Sequence, residues 1–558
     1  MDMVWNIFFM FGGVAAMMLG MKIMGGALER VAGGGMKKML GKVTGNRFAG
    51  VGVGLAVTSI IQSSTATTVM LVGFVNIGLM TLVQATNVIM GANIGTTVTA
   101  HIVSLSGGGG VDVGAIAAII GCIGVLVAML VKNEKAINIG NILGGLGLLF
   151  VGLEFISIFT KKVMFFDGEP HEWVQLIFQG DHFPLLLIFI GIVLTALVHS
   201  SSTITSLMVS LAANGVLTFE NALFLALGSN IGTCITSIMS SAGTNVNAKR
   251  TAIVHLLFNT FGSLIFLAPI WIWKAQVGGF FASMSSDVGR QIAIFHTLFN
   301  VVTTLVLLPF AGYVVKLACL IIPEKKGAEE NKYKFQYIDA RMLETPPIAA
   351  SNTKKEIIRM SALARDNINL SVQMLLDTSV DNCAEIEENE DVINHLNKSI
   401  VAFLTRLMGK DLTDKDDKKI GSYYHVVSDV ERIGDYAENI MEYALRLKEE
   451  GMELSSDAKS ELEEVRKTIC ELYDNVIKAF DDRDLGVLEK VETIEEKIDE
   501  DTKELEHRHI ERLKKGACTA QTGSVFLQTI SNLERVGDHM TNVAFSIRQY
   551  TSAKTANN

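Results

Sequence analysis

The chain is 558 residues long, 49% hydrophobic and 19% charged, with a formal net charge of −10. That acidic balance argues against nucleic acid as a partner, because binding a phosphate backbone needs a basic face and no Lys/Arg stripe is present. Charge is also uneven: residues 1–320 hold 15 Lys/Arg against 11 Asp/Glu, and residues 321–558 hold 33 against 47, so an apolar part precedes an acidic one.

The first apolar window, about 4–21, has no basic segment before it and Lys22 and Arg30 after it, which predicts a retained span rather than a cleaved leader. Further windows of spanning length run at about 113–131, 139–159, 251–273 and 291–315. Two more apolar stretches, 48–104 and 183–239, are too long for one crossing and are interrupted by polar, Gly-rich motifs, the pattern of broken or re-entrant helices.

Those two stretches repeat each other. Thr58-Ser-Ile-Ile-Gln-Ser-Ser-Thr65 matches Thr195-Ala-Leu-Val-His-Ser-Ser-Ser202, and Gly91-Ala-Asn-Ile-Gly-Thr96 matches Gly228-Ser-Asn-Ile-Gly-Thr233, both at an offset of 137. Upstream, Gly12, Gly13 and Gly20 match Gly144, Gly145 and Gly152 at an offset of 132. The repeats therefore run over about 4–131 and 139–273, with a further span at about 291–316, in a membrane domain covering 1–320.

The linker before the first motif carries Arg30, Lys37, Lys38, Lys42 and Arg47 against Glu29, which places it in the cytoplasm. Its counterpart carries Asp167, Glu169, Glu172 and Asp181 against Lys161 and Lys162 and reads as external. The loop at 105–112 has no basic residue, whereas the equivalent end of the second repeat reaches Lys249 and Arg250, and Lys316, Lys325 and Lys326 return the chain to the cytoplasm. Inverted repeats with broken helices are a secondary-transporter plan.

After a linker at 321–353, residues 354–550 are charged and helix-periodic, with no proline beyond Pro347 and an eight-residue tail at 551–558. Here too there is a repeat: Asp429-Val-Glu-Arg-Ile-Gly-Asp435 and Asn532-Leu-Glu-Arg-Val-Gly-Asp538 lie 103 residues apart, each followed four residues on by an asparagine, Asn439 or Asn542. Two similar helical bundles are implied. The whole chain is thus expected to be all-α.

The membrane motifs offer hydroxyls and amides: Gln62, Ser63, Ser64 and Thr65, then His199, Ser200, Ser201 and Ser202, with Asn93, Thr96, Asn230 and Thr233 beside glycines. Hydroxyl, amide and unwound carbonyl oxygens suit a hard cation such as sodium, while N–H and O–H donors at the start of a restarted helix suit an oxyanion. Such residues also bond back to their own helix or pack helices tightly. A third pattern, Ala252-Ile-Val-His-Leu-Leu-Phe-Asn259 and Ala293-Ile-Phe-His-Thr-Leu-Phe-Asn300, puts His and Asn on one helix face, either as a functional pair or as an interhelical hydrogen bond.

The paired Gln62-Ser-Ser-Thr and His199-Ser-Ser-Ser motifs, with the paired G-x-N-I-G-T segments, resemble the sodium/phosphate cotransporter family that includes the animal type II cotransporters. The resemblance implies that Gln62–Thr65 and His199–Ser202 form sodium and phosphate sites on inverted repeats; this chain departs from the pattern at Thr65, which keeps the hydroxyl, and at His199, which exchanges an amide for a titratable ring. Residues 354–550 resemble PhoU domains, which implies a cytoplasmic pair of three-helix bundles. Their signature falls on Glu431 and Asp435, then Glu534 and Asp538; with Asn439 or Asn542 these could hold a divalent or iron-type metal, the alternative being a solvated Glu–Arg–Asp face.

No nucleophile–base pair, nucleotide loop or hydrolase spacing marks an enzyme. The reading is a sodium:phosphate symporter of the cell membrane with a PhoU-like regulatory domain. Export by the same fold, or a membrane-anchored phosphate sensor, are the alternatives. Partners on this reading are phosphate, sodium and the bilayer, with room for a homodimer and for a phosphate-signalling protein at the C-terminal region.

Overall fold

A computed structural model describes residues 2–41, 46–105, 113–167, 169–180, 183–324, 332–410 and 412–548. Lys42, the 106–112 loop, Asp181, Lys325, Lys326 and the 551–558 tail, used above for orientation and boundaries, lie outside them. The described residues are almost all helical, and they divide into two compact units, Met1–Ala328 and Glu329–Asn558.

The first unit holds α1 (Asp2–Gly41), α2 (Arg47–Ile61), α3 (Ser64–Asn76), α4 (Leu82–Ser104), α5 (Val113–Leu130) and α6 (Glu134–Met164). A two-stranded hairpin, Phe165–Phe166 with Glu169–Pro170, and the short α7 (Glu172–Val174) lead into α8 (Pro184–Val198), α9 (Ser201–Ala213) and α10 (Phe219–Ser240). Then come α11 (Val246–Ile272), α12 (Lys274–Met284), α13 (Val288–Leu307) and α14 (Ala311–Ile321). Five of the described helices are long and apolar enough to cross a bilayer alone: those at 3–32, 134–164, 219–240, 246–272 and 288–307.

Two boundaries differ from expectation. The helix opened by the first window runs on to Gly41, well past residue 21, because nothing in Lys22–Gly41 breaks it. The last window is two helices, since Pro309 has no N–H and ends α13 before α14 begins.

Glycine decides how closely the helices approach. A Cβ on Gly13 would meet Gly152 O at 2.8 Å and one on Gly20 would meet Gly145 O at 2.6 Å, so α1 and α6 run antiparallel in backbone contact. Gly13 is the counterpart of Gly145, and Gly20 of Gly152, so each helix presents the same two positions to the other. The same exchange recurs deeper, where α3 packs on α10 and α4 on α9.

In the second unit, α15 (Pro346–Leu376), α16 (Cys383–Met408) and α17 (Asp414–Glu449) form one bundle. A second bundle comprises α18 (Ser456–Asp482), α19 (Leu488–Lys514) and α20 (Ala520–Phe545), and α17 packs on α20. Pro346 and Pro347, expected at a boundary, open α15 at its first positions, where a missing N–H costs no helical bond. Helix α15 therefore starts inside the expected linker.

Candidate functional site

Both interrupted stretches break in the same way. Helix α2 ends at Gln62, which is left-handed at φ 58, ψ 24 and donates its N–H to Thr58 O at 2.8 Å. Ser63 then turns to φ −146, ψ 106 and caps α3, its hydroxyl accepting from Ala66 N at 3.1 Å. In the second repeat, α8 ends at His199 (φ 58, ψ 23), whose N–H reaches Thr195 O at 2.8 Å, and Ser200 (φ −149, ψ 106) caps α9 by accepting from Thr203 N at 3.2 Å. A left-handed non-Gly residue costs on the order of 1–3 kcal/mol, and a Ser cap returns about 1.

Each break sets a helix C-terminus, with unpaired carbonyls and partial negative charge, beside a helix N-terminus with free N–H groups and partial positive charge. Oxygen ligands for a cation and N–H donors for an anion thus come from one pair of turns. Ser64 and Ser201, at the first helical positions, are each 4% exposed, and Ser202 is 7% exposed. Thr65 and Ser200 are half-buried. Residues 48–104 and 183–239 contain no Lys or Arg, so these segments themselves offer an anion dipoles and hydroxyls rather than a fixed positive charge.

Thr99, not anticipated from the sequence, and Thr236, which follows the second G-x-N-I-G-T segment, hold the breaks from the side. Thr99 Oγ1 donates to Gln62 Oε1 at 2.8 Å, and Thr236 Oγ1 lies 3.2 Å from His199 Nδ1. Thr99 and Thr236 are themselves 137 apart, the repeat offset, and that spacing was the available signal. His199 is exposed, whereas Gln62 at the matching position is half-buried.

The G-x-N-I-G-T residues behave less uniformly. Thr96 Oγ1 bonds Ala92 O and Thr233 Oγ1 bonds Ser229 O, at 3.1 and 3.0 Å, so both hydroxyls turn back to their own helix. Asn93 Nδ2 likewise donates to Ile89 O at 3.1 Å. Asn230 Oδ1 instead lies 3.3 Å from His296 Nε2. Packing of α3 on α10 and of α4 on α9 sets each Ser-capped helix against the Asn-bearing helix of the other repeat.

In the soluble unit, Asp538 sits with Glu495 and Asp499 of α19, with one carboxylate oxygen of each within 4.8 Å of the others. The carboxyl groups of Glu534, Asp538 and Glu495 are all held above their ordinary range, first by burial and then by the Asp499 charge. In the first bundle Glu431 and Asp435 are raised by burial, Glu431 also by Asp435. Beside them Glu390 of α16, 4% exposed, is pushed up to about 8 by burial and by the charges of Asp435, Glu438 and Glu431. Glu495 and Asp499 were missed from the sequence, although they too are spaced i, i+4; Asn439 is half-buried and Asn542 exposed. Clustered oxygens whose charges raise one another fit a hard cation, which would relieve that repulsion.

Comparison with known proteins agrees with both units. The Na+/Pi-cotransporter family matches residues 16–158 and 172–315, just over half of the chain, each match holding one of the two interrupted stretches, and the PhoU domain matches 357–444 and 462–547, once per bundle. YjbB of Escherichia coli (strain K12), named an inorganic phosphate export protein, is 24% identical over 537 residues, 96% of each chain. The rat sodium-dependent phosphate transport protein 2C is 31% identical over 198 residues, covering 33% of this chain and 32% of that one. A Thermotoga maritima PhoU homologue, named a phosphate-specific transport system accessory protein, is 26% identical over 191 residues, 34% of this chain and 82% of that one.

Proposed function

Because the chain belongs to the Na+/Pi-cotransporter family and carries a PhoU domain, we propose that it couples movement of inorganic phosphate to sodium at the paired breaks Gln62–Thr65 and His199–Ser202. The observation that supports this reading is the duplicated geometry: two helices restarted at a Ser cap, in segments without Lys or Arg. Phosphate oxygens would take the N–H groups and hydroxyls at Ser64 and Ser201, and sodium the carbonyls and side-chain oxygens at the preceding helix ends. With no fixed cation in those segments, the sodium supplies the counter-charge, so affinity for each ion rises with the other bound.

In proteoliposomes, radiolabelled phosphate uptake is expected to require an inward sodium gradient, and Ser64→Ala and Ser201→Ala are each expected to weaken it while the protein remains folded and inserted. Normal transport by both variants would sink the site assignment. The full-length likeness to a protein named as an exporter supports outward flux as a second reading. Vesicles loaded with phosphate and sodium separate the two: release driven by an outward sodium gradient in a right-side-out preparation, without the matching uptake, favours export.

The antiparallel α1/α6 pair and the charge bias support inverted repeats, with the N-terminus outside and the 22–47 segment and the whole 321–558 region on the cytoplasmic side. Cysteines introduced singly within 165–182 on a cysteine-free background should label from outside, and those within 33–46 should not. The opposite pattern overturns the orientation. The carboxylates of Glu431, Asp435, Glu534 and Asp538, joined by Glu495 and Asp499, would hold a divalent or iron-type metal and make the soluble unit a regulator sensitive to it.

A further inference from the structure

The His-x-x-x-Asn pattern on α13 has no role in the transport reading so far. His296 is 2% exposed, and its Nε2 meets Asn230 Oδ1 of α10 at 3.3 Å. An amide oxygen only accepts, so this bond requires the ring hydrogen on Nε2. The other end of the same amide, Asn230 Nδ2, is buried and has no acceptor among the described residues.

The counterpart in the first repeat is arranged differently. Asn93 Nδ2 spends one of its two N–H groups on Ile89 O, one turn back in its own helix. Helix α13 brings His296 to Asn230, so the difference between Asn93 and Asn230 comes from a helix that carries neither asparagine. A buried N–H without an acceptor is unfavourable, and in a transport site an oxyanion is the group that would satisfy it.

Resting on the phosphate-transport reading, we infer that His296 is a positioning residue for the substrate: it grips Asn230 by its oxygen and so presents the amide N–H to a phosphate oxygen. The second repeat then offers both amide N–H groups of Asn230, where the first has already committed one of Asn93's. The other copy of the pattern serves as a control. His255 of α11 is equally buried, but its Nδ1 lies 3.0 Å from Ser237 Oγ, and among the described residues its ring makes no hydrogen bond to Asn230.

The test is phosphate transport by the full chain in proteoliposomes, with amounts matched by size-exclusion profile. His296→Leu is expected to raise the phosphate KM about ten-fold, the value of one hydrogen bond, with the maximal rate per folded protein little changed. His296→Gln keeps a side-chain N–H and should recover most of the KM. Asn230→Ala should match His296→Leu, and the double variant should be no worse than either. His255→Leu should leave KM unchanged.

An unchanged KM in His296→Leu, an equal shift in His255→Leu, or no recovery in a well-folded His296→Gln would each overturn the inference. If His296→Leu does not fold, Asn230→Ala decides: a normal KM there overturns it. Wild-type transport weakened as expected by Ser201→Ala, with the His296 and Asn230 variants unaffected, removes this inference alone. Absence of phosphate transport by the wild type removes the underlying reading as well.

Discussion

The break between α2 and α3 and the break between α8 and α9 share one backbone, with φ 58 at both Gln62 and His199 and Ser caps within a few degrees of each other. The side chains have diverged: an amide accepting from Thr99 in one, an exposed imidazole beside Thr236 in the other. The soluble unit shows the same contrast. Its first bundle buries Glu390 among four other acids, while its second leaves Asp538 open to solvent beside Glu495 and Asp499. Duplication is preserved where caps and close backbone contacts leave no freedom. It is relaxed where a side chain projects from the frame.

The largest effect that can break this comparison is in the soluble unit. Glu390 has its folded pKa raised to about 8 from an ordinary 4.5, so the fold binds its proton more tightly than the unfolded chain does. Stability from this group is therefore undiminished below pH 4.5 and is lost as pH rises from there towards about 8, on the order of 5 kcal/mol in full. With metal chelated, melting of the soluble unit in the detergent-solubilised full chain should fall between pH 5 and 8 in wild type and much less in Glu390→Gln. Adding divalent or iron-type metal at pH 8 should restore stability in wild type and less so in Asp538→Asn. A flat wild-type profile, or equal rescue of Asp538→Asn, would show the acidic faces to be solvated surface.

A smaller effect sharpens the membrane comparison. Thr99→Val removes a 2.8 Å bond to half-buried Gln62, and Thr236→Val a 3.2 Å contact to exposed His199. A buried hydrogen bond is worth about 1 kcal/mol, so Thr99→Val should reduce sodium-driven uptake at low sodium about five-fold. Thr236→Val should reduce it less. Equal losses, read from the sodium dependence of initial rates, would mean that the two breaks are held with equal strength despite their different side chains.

Repeat offsets, the polar interruptions and the i, i+4 carboxylates were legible because they are properties of spacing, and spacing along a helix determines which residues share a face. Asn230 and Asn93 are indistinguishable at that level. Both sit in G-x-N-I-G-T, and nothing within several residues of either one says that only the second meets a histidine 66 positions away. The same limit hid Glu495 and Asp499, whose partner Asp538 lies on another helix. Nor does the motif say that His199 is exposed while Gln62, with the same backbone, is half-buried.

By itself, the sequence determined that there are two units, that each is duplicated, and where each membrane helix must break: these follow from hydropathy, charge and glycine placement, which act locally. Tertiary structure alone decided which donors are spent and which remain. One N–H of Asn93 Nδ2 is taken by Ile89 O and Asn230 Nδ2 is left without an acceptor among the described residues, because a hydrogen bond depends on which atoms arrive within about 3 Å, and only packing brings those of distant helices there.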